Sequence, residues 1–245
     1  MGVDRRTALK TLAAAGAAVA GTPRRAYARE PLKPPEDAVG LLYDATRCIG
    51  CKSCVVACYE ANFDEPMPGD RYYDPARLSA SCRNIIKEHR EGDEQSFMKM
   101  QCMHCVDPGC ISACMLGALA KREYGIVTWE ADKCVGCRYC QVACAFNVPK
   151  FEWDDATPEI IKCYLCDHRL AEGLEPACSD VCPTDAVIFG PRDELLADAH
   201  QRIEENPDRY EPKVYGETDG GGTQNMYLSH AGISFQDLGL PELEI

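Results

Sequence analysis

Sixteen of the seventeen cysteines in this chain fall into four sets of four, and a chain with that many thiols in repeated short loops has to fold around whatever they hold. The sets are Cys48, Cys51, Cys54 and Cys58; Cys102, Cys105, Cys110 and Cys114; Cys134, Cys137, Cys140 and Cys144; and Cys163, Cys166, Cys178 and Cys182. Every set closes with two cysteines separated by three other residues. Three thiolates this close in the chain wrap the backbone around one four-iron cubane, and the pattern predicts four 4Fe-4S clusters. The fourth cysteine of each set is expected to open a helical turn. It then faces away from its own loop and ligates a neighbouring cluster, so clusters come in pairs.

The segments between the sets indicate which loops pair. Residues 117–120 and 125–129 flank a short charged turn and predict a hairpin joining the second set to the third. Residues 185–189, after Cys182, and residues 40–43, before Cys48, predict a matching pair of strands from distant parts of the chain. On this basis cluster one takes Cys48, Cys51, Cys54 and Cys182, and cluster two takes Cys163, Cys166, Cys178 and Cys58. Cluster three takes Cys102, Cys105, Cys110 and Cys144, and cluster four takes Cys134, Cys137, Cys140 and Cys114. Sequence distance alone also allows the third and fourth sets to pair. The expected fold is α+β: two ferredoxin-like lobes related by pseudo-twofold symmetry, with short strands and helical turns around four clusters. Lobe one is built from residues 39–58 and 163–190, and lobe two from residues 102–144. Residues 59–101, rich in charge and proline, are expected to be a surface insertion.

Disulfides and zinc are the competing uses of so many thiols. Bridges need no recurring cluster of this shape, even in an exported chain. Structural zinc favours two separated two-cysteine knuckles over a third ligand packed into the same loop, as the first and third sets have it. The fourth set alone would pass for zinc. Cys82 has no set to join and reads as a spare, buried thiol.

The amino terminus begins Arg5-Arg6-Thr7-Ala8-Leu9-Lys10, continues through a weakly apolar Ala/Gly stretch over residues 11–21, and reaches Ala26-Tyr27-Ala28. Residues 1–28 are expected to be a twin-arginine signal peptide cleaved after Ala28, which directs the chain to the periplasm. That route carries folded proteins, as cubanes assembled on reduced thiols require. Residues 29–38 are expected to be a linker. The formal net charge is -13, and removing the five basic residues and one acid of residues 1–28 deepens it to -17. Attraction to nucleic acid or anionic lipid is therefore disfavoured. Metal ligation should contribute folding energy directly, so a cluster-free chain should be poorly folded.

Beyond the last set, residues 192–206 place Leu195, Leu196, Ala199 and Ile203 at helical spacing after Pro191, predicting a helix with one face on the lobes. From Pro207 the chain reads as an irregular tail that gains little from packing on itself and lies along a partner. It contains no run apolar and long enough to span a bilayer. A basic residue precedes three of the sets, at Arg47, Lys133 and Lys162, and Arg138 lies inside the third loop. Positive charge there would stabilise reduced clusters, and amides near Gly50 and Gly136 can approach sulfur closely. Each charge also has an ordinary reading as solvated surface. His104 is expected to hydrogen-bond or pack, since its set has all its thiolates. Tyr59, Tyr139 and Tyr164 are expected to be packing groups. No catalytic constellation and no nucleotide fingerprint accompanies the thiols, which leaves electron transfer or, without redox activity, a metal-stapled interaction module.

The order of the four sets, with the long gap inside the last, resembles the iron-sulfur subunit family of membrane-linked formate dehydrogenases and dimethyl sulfoxide reductases. Leu42-Tyr43-Asp44-Ala45-Thr46-Arg47-Cys48, Gln101-Cys102-Met103-His104-Cys105-Val106-Asp107-Pro108, Gly136-Cys137-Arg138-Tyr139-Cys140, Phe146-Asn147-Val148-Pro149-Lys150 and Gly220-Gly221-Gly222-Thr223-Gln224 are similar to the electron-transfer subunits of hydrogenase-2 complexes. The resemblance implies four 4Fe-4S clusters in the pairing above. It further implies docking between a nickel-iron hydrogenase small subunit and an integral membrane quinone-reactive subunit. Two departures stand out. The hydrogenase-2 type carries a membrane helix beyond the Gly-rich stretch, whereas this sequence stops at Ile245, so attachment through partners is expected. Proline follows only Cys182 among the fourth cysteines.

Overall fold

The computed structural model describes residues 30, 32–63, 65–69, 77–92, 94–153 and 159–243; the expected signal peptide lies outside them. The apolar run after the proline-rich stretch forms strand β1 (Val39–Asp44), and the first cysteine loop winds into helix α1 (Ser53–Phe63). Strands β2 (Ile85–Glu91) and β3 (Glu94–Met100) form a hairpin. The second loop carries the single turn α2 (Gly109–Ser112), then β4 (Leu119–Lys121) folds back as β5 (Val127–Trp129). The third loop carries α3 (Tyr139–Ala143), and the two-residue strands β6 (Lys150–Phe151) and β7 (Ile160–Ile161) lead to the fourth, with α4 (Asp167–Ala171) and α5 (Ala177–Asp180). Strand β8 (Val187–Pro191) runs directly into α6 (Arg192–Glu205), and β9 (Asn225–Leu228) follows in the tail.

Both expected strand pairings are present. β1 runs antiparallel to β8, with Leu41 opposite Phe189 and Tyr43 opposite Val187, and β4 runs antiparallel to β5, with Leu119 opposite Trp129. Around the first pairing α1 packs on α5, and beside the second α2 packs on α3. Helix α6 buries Leu195 and Ala199, four residues apart on one face, against Leu42, Met226 and Leu228. Full burial of such a leucine stabilises by about 1.5–3 kcal/mol. Asp193 and Glu194 sit in the first turn and Arg202 in the last, which complements the helix dipole.

Two expectations are corrected. The segment after Pro207 is no loose tail: β9 adds to β1 as a parallel strand, with Leu41 opposite Asn225 and Asp44 opposite Leu228. Tyr210, Val214, Tyr215, Ile233, Phe235, Leu238 and Leu240 are all buried. Its apolar residues fill this chain's own core because β1 and β8 leave one edge open, and unpaired strand edges are costly to bury. Nor is the stretch before Cys102 a surface excursion. The β2–β3 hairpin sends Ile85, Ile86 and Met98 into the main core, beside Leu41, Tyr43, Cys54 and Tyr227.

The tail is held by polar groups as much as by apolar ones. Asn225, fully buried, accepts a hydrogen bond from the Leu41 N–H at 3.0 Å and donates to the Cys102 carbonyl at 2.7 Å. Gln224 donates to the carbonyls of Val39 and, at 2.7 Å, Tyr124. One short strap therefore ties β1 to the second cysteine loop and to the β4–β5 turn. Gly40 makes the approach possible: a Cβ there would lie 1.8 Å from the Gln224 carbonyl oxygen. At the other end of β1, the buried Asp44 carboxylate accepts from Arg202 at 3.0 Å, Tyr210 at 2.9 Å and Thr46, and joins α6 and the tail to the entrance of the first loop.

Candidate metal centres

The four cysteine loops share a backbone signature. The second residue after the first cysteine has positive φ in every set: Gly50 at 69°, His104 at 47°, Gly136 at 67° and Leu165 at 54°. This left-handed residue turns the chain back on itself, and in three loops its N–H points at the first sulfur. Gly50 donates to Cys48 Sγ at 3.5 Å, Gly136 to Cys134 Sγ at 3.4 Å and Leu165 to Cys163 Sγ at 3.2 Å. The amide approach expected at the two glycines is thus present, and Leu165 achieves it with a strained backbone, a cost borne at functional sites.

The helical turns stand one position earlier than expected. Cys110, Cys140 and Cys178, each the third cysteine of its set, lie within α2, α3 and α5, and Cys114, Cys144 and Cys182 follow those turns. In the first set Cys54 and Cys58 both lie on α1, on one face. After the turn the chain loops over the fourth sulfur. Ala118 N–H donates to Cys114 Sγ at 3.2 Å, and Val148 N–H to Cys144 Sγ at 3.5 Å. Slight burial pushes the Cys114 thiol up, but the amides of Leu119, Ala118, Leu116 and Gly117 outweigh it and hold it below the ordinary thiol range. At Cys144 burial wins over the corresponding amides and the thiol is raised.

The thiols gather in groups that cross the sets. Cys48 lies within electrostatic reach of Cys182 and Cys51, and Cys58 within reach of Cys163, Cys178 and Cys166. Cys105 is surrounded by Cys102, Cys144 and Cys110, and Cys140 by Cys134, Cys137 and Cys114. One cavity is lined by Cys114, Cys134, Cys137 and Cys140; another is lined by Cys58, Cys163, Cys166 and Cys178. Burial pushes the Cys54 and Cys163 thiols up to about 12 and Cys140 to about 11. Such thiols stay protonated at neutral pH unless a metal displaces the proton. Among the described residues, no three His, Cys, Asp or Glu side chains converge tightly enough to hold a single metal ion.

A family model for the 4Fe-4S dicluster domain matches residues 94–192. The hydrogenase-2 operon protein HybA of Escherichia coli O157:H7 is 37% identical to this chain, over 99% of it and 85% of HybA. The iron-sulfur subunit of the nitrate-inducible formate dehydrogenase of Escherichia coli K12 is 40% identical, over 78% of this chain and 68% of that subunit. The chain belongs to the family of HybA and the formate dehydrogenase iron-sulfur subunits. A protein of Nitratidesulfovibrio vulgaris is 42% identical over 98% of this chain and 67% of its own length. As a HybA-family chain it is an iron-sulfur electron-transfer subunit, and its donor set fits 4Fe-4S clusters.

The charged residues of this HybA-family chain divide sharply once placed. Arg47 faces Asp44 at 3.6 Å, and Lys133 is paired with Glu130 at 2.7 Å, with Arg122 on the same carboxylate, so neither offers an unopposed charge. Arg138 lies over the Trp153 ring, 4.0 Å from its centroid. Lys162 is not a solvated charge: it is buried and donates to the carbonyls of Val127 and, at 3.0 Å, Cys163. His104 is fully buried, and burial together with Lys162 and Lys121 holds its pKa well below the usual histidine value. Its Nδ1 accepts from the Val127 N–H at 3.1 Å, the hydrogen-bonding role expected of it. Tyr59 stacks on Phe63 and Tyr164 under Arg83, but Tyr139 is largely exposed and packs little. Cys82 is buried and its thiol donates to the Asn84 carbonyl at 2.8 Å.

Two groups escaped the sequence reading. Lys99 on β3 is fully buried although lysine ordinarily marks a surface position; its only signal was its place between Met98 and Met100. Asn225 reads as a loop residue, and nothing local marks it as the bond between distant segments.

Proposed function

We propose that this chain carries four 4Fe-4S clusters, held by Cys48, Cys51, Cys54 and Cys182; Cys163, Cys166, Cys178 and Cys58; Cys102, Cys105, Cys110 and Cys144; and Cys134, Cys137, Cys140 and Cys114. They form a one-electron relay between a periplasmic nickel-iron hydrogenase, contacted through its small subunit, and an integral membrane quinone-reactive subunit. The observation that carries the reading is that the thiol groups lie within electrostatic reach of one another in sequence: Cys54 of Cys178, Cys163 of Cys102, and Cys110 of Cys140. These three approaches support the order one, two, three, four. Each bound cluster supplies a site for one electron. The residues of the chain exclude water, donate N–H groups to sulfur and keep neighbouring sites close. Residues 39–58 with 163–190, and residues 102–144, act as two pseudo-symmetric lobes, one at each end of this line.

The hydrogenase assignment rests on the likeness to HybA over nearly the full chain. The periplasmic location rests on the twin-arginine pattern of residues 1–28, which carry the chain out already folded. Among the described residues no helix is long and apolar enough to cross a membrane. Purification of the assembled complex tests the reading. This chain should contain about sixteen irons, four per cubane, bleach reversibly with dithionite, and co-purify with a nickel-containing subunit. A molybdenum-containing partner would move the same relay to an oxidoreductase of the formate dehydrogenase kind. Far fewer irons, or no bleaching, would remove the relay altogether.

A further inference from the structure

Lys99 is a costly side chain by elementary electrostatics. It lies on β3 opposite Ile86, has no exposed surface, and its Nζ has no hydrogen-bond partner. An ammonium taken out of water without a partner costs several kcal/mol. Such a group persists only where negative charge faces it. The groups within reach are thiols, which carry negative charge once they ligate a cluster: Cys178, Cys54, Cys58 and Cys163, brought together by α1, α5 and the fourth cysteine loop. Met98, the neighbouring residue of β3, packs in one core with Cys54 and Cys178, which places this end of the strand against both loops. Cys54 belongs to the first proposed cluster and the other three to the second, so the ammonium stands where the two meet. Lys162 differs in kind, because two carbonyls satisfy its Nζ.

We propose that Lys99 is a shared counter-charge for the first and second clusters, a positioning residue that favours the reduced state of both and leaves the other half of the relay unaffected. The inference rests on the four-cluster reading. Four thiolates outnumber the positive charge of an iron-sulfide core, and each added electron deepens the excess. A fixed cation in a low-dielectric interior therefore stabilises the reduced form more than the oxidised one. It also explains why β3, in the segment between the first two cysteine sets, is drawn into the core. The hairpin delivers a charge to a place that the cysteine loops cannot reach.

The test is a potentiometric titration of the purified holoprotein followed by EPR, with the iron content measured on the same samples. In Lys99→Met, two of the four centres should become harder to reduce by about tenfold in equilibrium constant, which is 59 mV for a one-electron couple, while the other two keep their midpoints. Four unmoved midpoints, or four moving together, would overturn the proposal. Should Lys99→Met lose iron, Lys99→Arg decides. Retained iron with unshifted midpoints supports the counter-charge, and loss in both variants assigns Lys99 to packing and overturns it. Far fewer than about sixteen irons in the unaltered protein would instead sink the four-cluster reading, and this inference with it.

Discussion

The strap formed by Gln224 and Asn225 makes the most quantitative prediction. In Asn225→Ala the backbone of β9 can keep its pairing, but the Leu41 N–H and the Cys102 carbonyl lose their partner, and Asn225 is fully buried, so water does not replace it without local opening. Each buried backbone group left unpaired costs about 1–3 kcal/mol. The variant should therefore lose roughly 2–6 kcal/mol of the free energy that holds β9 and the second cysteine loop together. At about 1.4 kcal/mol per factor of ten, the lower bound raises the population of the opened state roughly thirtyfold. The assay is the rate of iron transfer from the holoprotein to a strong ferrous chelator in mild denaturant, where opening precedes loss. A matched control is Gln201→Ala on the exposed face of α6, whose bond to Glu205 lies in solvent and whose removal should change the rate less than about twofold. If Asn225→Ala released iron no faster than this control, the side-chain amide would not be what joins the two segments, and the account of the tail as a strap would fail.

Three further outcomes follow from local geometry and ligation. Gly40→Ala puts a Cβ 1.8 Å from the Gln224 carbonyl oxygen, which is backbone and cannot swing aside; the variant should yield little soluble holoprotein, and wild-type recovery and iron content would contradict the close approach. Gly50→Ala faces two penalties, a φ of +69° and a Cβ 2.4 Å from the Phe97 ring, the first alone costing about 1–2 kcal/mol. It should lose iron from one centre before the others, and the double variant with Phe97→Leu should recover only part of the loss, as read by iron content and visible absorbance. Removal of iron under reducing conditions should abolish most of the far-ultraviolet circular dichroism of native strands and helices, because ligation supplies folding energy; a cluster-free chain with a native spectrum and a cooperative melt would refute this.

Legibility in the sequence followed the range of the interactions. The β1–β8 and β4–β5 pairings could be read because each strand is a short apolar run anchored to a cysteine loop, and α6 because Leu195 and Ala199 repeat at helical spacing. The tail could not. Its β9 meets β1 across 184 residues of sequence at Asn225 and Leu41, and its buried Tyr210, Tyr215 and Tyr227 follow neither helical nor strand period because each enters a gap shaped by other segments. The β2–β3 hairpin was misread for a chemical reason: Lys87, Glu88, Arg90, Glu91 and Glu94 crowd its turn, and their solvation hid the apolar and cationic end near Met98 and Lys99. The loop geometry was partly legible. Gly50 and Gly136 marked where an amide approaches sulfur, whereas His104 and Leu165 adopt the same left-handed turn without the residue type that signals it.

A core of thiol sets differs from an ordinary one in what it must bury. In a core of aliphatic side chains, a buried lysine, glutamine or asparagine is a defect. Here Lys99, Gln101, His104, Lys162, Gln224 and Asn225 are all buried close to the cysteine loops. Cysteine loops are short and irregular and leave backbone carbonyls and amides with no helix or sheet partner, and thiolates add negative charge that aliphatic packing cannot balance. Asn225 and Gln224 answer the first need by bonding Cys102, Leu41, Val39 and Tyr124, Lys162 answers it at Val127 and Cys163, and Lys99 answers the second. Buried polarity in this fold is therefore a consequence of the cysteine pattern itself. Removal of the negative charge should turn the same residues into liabilities: a chain whose thiols hold nothing retains an unpaired ammonium in its interior, which is a physical reason for the cluster-free form to open first between β3 and α1.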